Sequence, residues 1–207
     1  MTSDKIIEIL VRLMIILLIN PLHECAHAWS AHKLGDDTAK QAGRMTVSPL
    51  AHIDPWGSLL LLFCGFGWAK PVPVNPNNFE NPRKGMMLTA IAGPLSNLLA
   101  ALVGMAALQC YSGDMETVSY ILYYFVIINI NLCVFNIIPV PPLDGSRVLT
   151  YLLPPNAAIW LMRNQRYFYG VVMLLMVTGI LSIPLSYVVG WVYKLLYYMT
   201  KFLAVIT

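Results

Sequence analysis

Apolar runs of bilayer length limit this chain to folds in which each segment satisfies its own backbone. A spanning helix needs about 20 mostly apolar residues. Five stretches approach or exceed that: Ile6 to Leu34, Met86 to Gln109, Ser119 to Ile138, Tyr167 to Ile183 and Leu185 to Val205. Only 11% of the chain is charged, against about a quarter in soluble domains, so the runs are not the cores of a soluble fold. The expected fold is an all-α polytopic membrane protein with about five transmembrane helices. It forms one domain over 1–207, with its motifs in 20–150 and a C-terminal helical pair in 167–205.

Proline and glycine punctuate the runs. Pro21 removes a backbone donor, which predicts a kink at Asn20-Pro21. Pro139, Pro141 and Pro142 stop the third span, and Pro184 separates the fourth from the fifth. Trp56 to Trp68 is apolar but too short to cross as a helix, and it ends in Gly65-Phe66-Gly67. Ala69 to Pro76 is held extended by its prolines. Backbone of this kind survives at membrane depth only where it is buried in protein or lines a cavity. Strands or a re-entrant segment are therefore expected there, and 56–75 is taken as a small membrane-associated β-ribbon, with Leu59, Leu60, Leu61, Leu62 and Phe63 as candidate substrate-binding residues on its edge.

Basic residues favour the cytoplasmic side. Lys33, Lys40, Arg44, Lys70, Arg83 and Lys84 flank or fill the first long loop, and Arg147, Arg163 and Arg166 surround the 151–166 loop. The 111–117 loop has none. Five spans then place the N-terminus outside and the C-terminus in the cytoplasm, although Lys5 opposes this. The active site is expected toward the cytoplasmic side of a cell (inner) membrane. Trp191, Tyr193, Tyr197 and Tyr198 supply an interfacial belt.

A net charge of +3, with no basic run and no P-loop, excludes nucleic acid as the partner. Cys25, Cys64, Cys110 and Cys133 form no C-x-x-C pair and read as reduced structural residues. No small-residue cleavage site follows the first apolar stretch, so that segment is expected to be retained.

His23-Glu24-Cys25-Ala26-His27 reads H-E-x-x-H inside the first span. Asp, Lys or Arg at a helix centre costs about 2.5–3.5 kcal/mol, and a glutamate belongs to the same class, so ionisable groups there are functional by default. The two histidines are one helical turn apart on nearly the same face, and their imidazoles can converge on one zinc. Glu24 lies about 100° round the helix, where it can reach a water on the metal rather than the metal itself. A catalytic zinc needs a third protein ligand and an open fourth position. Asp144, just after the third span, is a candidate for that ligand. Equally, it could cap a helix running from Ser146 to Leu153.

These residues resemble the site-2 protease family of intramembrane zinc metalloproteases. The resemblance rests on His23-Glu24-Cys25-Ala26-His27, on Asn136-Ile-Ile-Pro139 through Leu143-Asp144-Gly145, and on Gly93-Pro94-Leu95-Ser96-Asn97, in the family's order over most of 20–150. It implies one zinc per chain held by His23, His27 and Asp144, with Glu24 as general base. It also implies a catalytic place for Asn97 near the substrate carbonyl or its oxyanion. The length leaves no room for a PDZ or CBS domain, so a minimal, core-only member is expected.

Asn136, His52 and Asp54 are candidates to support the ligands from behind. Asn129 and Asn131 read as interhelical hydrogen-bond donors. The expected function is proteolysis of transmembrane segments in single-span membrane proteins embedded in the lipid bilayer, and self-association is compatible with the sequence. The alternative is a catalytically silent zinc-binding adaptor or transporter. An intact Glu24 and the lack of repeats argue against it.

Overall fold

The computed structural model describes residues 3–65, 67–111, 113 and 115–205. Phe66 in the expected ribbon, Ser112 and Asp114 of the 111–117 loop, and both chain ends lie outside that set. Helix α1 (Ser3–Met14) passes through a π-helical turn, Ile15–Ile19, into α2 (Asn20–Lys33). This turn replaces the expected kink. The Asn20 N–H bonds Ile15 O, five residues back, and the widened turn accommodates Pro21 at the start of α2 without breaking the span. The combined span is Ile7–Lys33.

Two single turns, α3 (Thr38–Gln41) and α4 (Pro49–His52), lead to α5 (Pro55–Cys64). Here the ribbon expectation fails, because Leu59 to Phe63 are helical. The Asp54 side chain accepts from Gly57 N at 2.8 Å, Pro55 occupies the first turn, and Gly65 ends the helix with φ +80. These are the start and stop signals of a helix. A short apolar run has no periodicity to separate strand from helix, which is why the sequence misled. After α5 the chain from Gly67 to Asn75 is non-helical, and no strand occurs among the described residues.

Arg12, inside the first span, donates to Leu62 O at 2.5 Å and pairs with Glu8 one turn earlier. The last turn of α5 is thus tied to α1 by a cation at its carbonyl end, where the helix dipole favours one. That role was not visible in the sequence, because the partner lies 50 residues away.

The long helices are α6 (Pro82–Cys110) and α7 (Glu116–Ile137), followed by α8 (Gly145–Leu152), α9 (Pro155–Arg163), α10 (Gln165–Val177) and α11 (Ser182–Thr200). Among the described residues, three helices are long and apolar enough to cross a membrane. α10 and the segment Ser182–Leu203 form a pair bent by 82° that counts as at most a fourth. The count of five is therefore not reproduced. At 13 residues, α10 is about 20 Å long, short of the roughly 30 Å hydrocarbon core. The break also falls earlier than expected. Gly179, at φ +71, makes the turn, while Pro184 sits in the first turn of α11, where a missing N–H costs nothing.

The core lies where α6, α7 and α11 meet, around Ala101, Met105, Val126, Ile130, Val189 and Leu196. Gly104 lets α6 approach α7, since a Cβ there would fall 2.7 Å from the Phe125 ring. Small residues at such contacts are the usual device for close helix packing in lipid. Gln109 adds a polar tie to α11, donating to Tyr197 O at 3.0 Å and Thr200 Oγ1 at 2.9 Å. Large apolar side chains such as Leu10, Leu18, Val103, Leu174 and Trp191 point outward, as a lipid-facing surface requires.

Candidate metal centre

His23 and His27 lie on the face of α2 that packs against α6, and both are buried. Their Nδ1 atoms are held from behind. His23 Nδ1 is 2.5 Å from Asn97 Oδ1, and His27 Nδ1 is 2.7 Å from Thr89 O. Both partners are acceptors, so each ring carries a proton on Nδ1, and in its neutral form offers the Nε2 lone pair. The two Nε2 atoms stand 3.0 Å apart.

Asp144 completes the group. Its Oδ2 lies 3.2 Å from His23 Nε2 and 3.4 Å from His27 Nε2. It is buried without a hydrogen-bond partner. Three acceptor atoms thus face one another, and a single proton could bridge only two of them. A cation satisfies all three. A tetrahedral zinc with ligands about 2.0–2.1 Å away separates its donors by about 3.3 Å, which is the spacing seen. Two neutral imidazoles and one carboxylate suit that metal. Among the described residues, His23, His27 and Asp144 form the group able to hold it.

The helix-cap reading of Asp144 is met in position only. The residue occupies the N-cap position of α8, yet makes no capping bond, and its carboxylate turns to the histidines instead. The prolines end α7 at Ile137 and turn the chain. Gly145 then packs onto the end of that helix, where a Cβ would lie 2.0 Å from Ile137 O.

Glu24 points from the adjacent position into a cavity of about 680 Å³ that also contains His23, His27 and Asp144. Its Oε2 accepts the backbone N–H of Val72 at 3.0 Å. Asn20 and Asn136 line the same cavity. Asn97 does not. It is fully buried, its oxygen engaged by His23 and its Nδ2 donating to Asn129 Oδ1 at 2.9 Å. Asn129 in turn donates to Phe125 O at 2.8 Å. Asn97 thus lies behind the His23 ring.

His52 and Asp54 are also apart from the metal group. His52 Nε2 donates to Thr46 O at 2.8 Å, the His52 carbonyl accepts from Lys70 N at 2.9 Å, and Asp54 caps α5. Leu59 to Phe63 do not line the cavity. Its wall comes instead from Gly67 to Val74, through Gly67, Trp68, Ala69, Pro71, Val72 and Val74. Arg44 donates to Lys70 O at 2.5 Å. Asp36 Oδ2 accepts from Asn75 N at 2.8 Å, and its Oδ1 accepts from Asn78 Nδ2 at 2.7 Å and Thr38 Oγ1 at 2.5 Å. Burial opposes ionisation of Asp36, but these donors outweigh it and hold the carboxyl below its ordinary range. The sequence offered only a Gly35-Asp36-Asp37 turn, since the donors from Asn75 and Asn78 lie 39 and 42 residues away.

With this geometry in hand, residues 111–181, which include Asp144, match the model of peptidase family M50. The protein named "Putative zinc metalloprotease YwhC" of Bacillus subtilis (strain 168) is 39% identical over 188 residues, covering 86% of this chain and 84% of that relative. "Putative zinc metalloprotease Rip2" of Mycolicibacterium smegmatis is 24% identical over 187 residues, covering 87% of this chain and 69% of the relative. Its namesake in Mycobacterium tuberculosis (strain H37Rv) is 25% identical over 185 residues, covering 86% and 68%. No solved structure matches the chain.

Proposed function

The chain belongs to peptidase family M50, and from that premise we propose that it is an intramembrane zinc endopeptidase. It cleaves peptide bonds within or beside the transmembrane segments of single-span partner proteins. One observation carries this reading: three metal-binding acceptors and a separate carboxylate share one cavity inside a bundle of apolar helices.

When bound, zinc supplies a Lewis acid and lowers the pKa of a water at its open position to about 7. Asn97 and Thr89 fix the imidazole rings, so the ligand set is organised before the metal arrives. Glu24, beside the metal ligands rather than among them, takes the proton of the attacking water and returns it to the leaving amine. Substrate must enter unwound, because a helical peptide bond has its carbonyl hydrogen-bonded and its flanks shielded. The helices around the cavity keep lipid from the reacting atoms.

In this reading the metal centre opens toward the cytoplasmic side of the cell membrane. The basic residues of 33–84 and 147–166 support that placement, as does their absence from 111–117.

The test is to co-express a panel of single-span proteins tagged at both ends and to map product termini by mass spectrometry. Termini inside the apolar segment, or within a few residues of it, are expected. Cleavage confined to soluble domains, regardless of any span, would overturn the intramembrane assignment.

A further inference from the structure

Glu24 is held by the main chain of a non-helical segment. We propose that the backbone N–H of Val72 is a positioning group for the general base, presented by a strap that the loops clamp across the metal cavity. The proposal rests on the reading of Glu24 given above.

The strap runs from Gly67 to Asn75 and is fixed on both sides of Val72. Upstream, Arg44 holds Lys70 O and the His52 carbonyl holds Lys70 N. Downstream, Asp36 holds Asn75 N. Pro71 and Pro73 have no N–H, so Val72 supplies the one amide donor within 71–73. That donor meets Glu24 Oε2 at 3.0 Å. The prolines also keep the preceding residues out of helical conformations, which prevents the strap from coiling away from the site.

A glutamate carboxylate turns about its last torsion with broad, roughly two-fold preference. An amide fixed on Oε2 removes that freedom and leaves Oε1 as the oxygen free for proton transfer. Glu24 follows His23 directly on α2, so setting its carboxylate sets the geometry of base against metal water. Misplacement of a reacting group by about 1 Å can cost about 10²-fold in rate. The two clamping side chains, Arg44 and Asp36, are buried although they belong to loops. This expense is intelligible if the strap must stay in register with Glu24. A strap that merely plugged the cavity would need no donor at this point.

Val72→Pro tests this in the full-length protein, because it deletes the donor and keeps the proline-like extended chain. Val72→Ala keeps the donor. For a doubly tagged single-span protein that wild type cleaves, Val72→Pro should lower kcat by about 10²-fold, with KM and zinc content within roughly threefold of wild type. Val72→Ala should lower kcat at least about tenfold less than Val72→Pro does, because it keeps the donor. Wild-type kcat in Val72→Pro would overturn the proposal. So would a rise in kcat, which marks a plug, and so would loss of zinc in step with kcat, which marks a structural segment.

A second measurement needs no substrate and no folded Val72→Pro protein. Residue-resolved amide hydrogen exchange across 68–76 should show Val72 protected alongside Lys70 and Asn75, with Val72 alone exchanging faster in Glu24→Ala. Unchanged exchange there would overturn the bond itself. A wild type that cleaves nothing, yet shows the protected amide, fails the protease reading separately.

Discussion

A Cβ on Gly93 would fall 2.4 Å from His27 Nε2 and 2.6 Å from His23 Cε1. The helix bearing Gly93 therefore rests directly on the two rings, and nothing larger than hydrogen fits between them. The first prediction follows from this contact. Gly93→Ala must push α2 and α6 apart or swing the rings off their acceptors, a strain of about 1–3 kcal/mol. Purified Gly93→Ala should lose most of its zinc, approaching the His23→Ala/His27→Ala double variant. Metal analysis of the purified variants checks this.

Asn97 gives the second prediction, and it differs from what the resemblance alone implied. With its oxygen on His23 Nδ1 and its amide on Asn129, Asn97→Ala leaves two buried groups unpaired and frees the ring. Zinc affinity should fall about 10–100-fold, as for other partners that orient metal ligands. Competition with a chelator measures it. Unchanged affinity with reduced turnover would restore the role at the substrate carbonyl.

The site was legible in the sequence where local spacing encodes it. His23, Glu24 and His27 are one helical turn, and Asp144 follows a proline stop, so motif and position could be read together. The structure brings His23, His27 and Asp144 together in a group that could hold a metal ion. Residues whose meaning depends on distant partners were not legible. Arg12 caps a helix 50 residues away, and Asp36 gathers donors from a loop beyond α5. The apolar run at 56–68 was misread because its length and composition suit either a strand or a short helix. The residues that decide are Asp54-Pro55 before it and Gly65 after it, the start and stop signals of a helix. The C-terminal span count failed for a similar reason: Gly179 rather than Pro184 makes the break.

The third prediction concerns acid. The Asp36 carboxyl is held below its ordinary value of 3.8 in the folded chain, so its stabilising contribution is complete above that pH and is lost as pH falls through the folded value. Asp36→Asn should destabilise the protein by about 1–3 kcal/mol at neutral pH. The difference from wild type should shrink below pH 3.8. Thermal melts in detergent across pH give the result directly. A gap that persists unchanged in acid would show that the charge is not what anchors Asn75.

The fourth prediction is topological. Single cysteines at Asp37 and Gly113, in a background without Cys25, Cys64, Cys110 and Cys133, should label from opposite faces of the membrane, with Asp37 cytoplasmic. The basic residues around the first loop motivate this. Labelling of both from one face would contradict the order of the first three spans.

The measurement closest to the central claim compares wild type with Glu24→Gln, both loaded with zinc, on the same single-span substrate. The variant should retain fold and zinc, because Glu24 is not among the metal ligands. Turnover should drop toward the upper end of the roughly 10²–10⁴-fold that a general acid–base supplies, since the proposed role has Glu24 both take the proton from water and return it to the leaving amine. Cleavage by Glu24→Gln at more than about a tenth of the wild-type rate, with zinc in place, would contradict the assignment of Glu24 as the base.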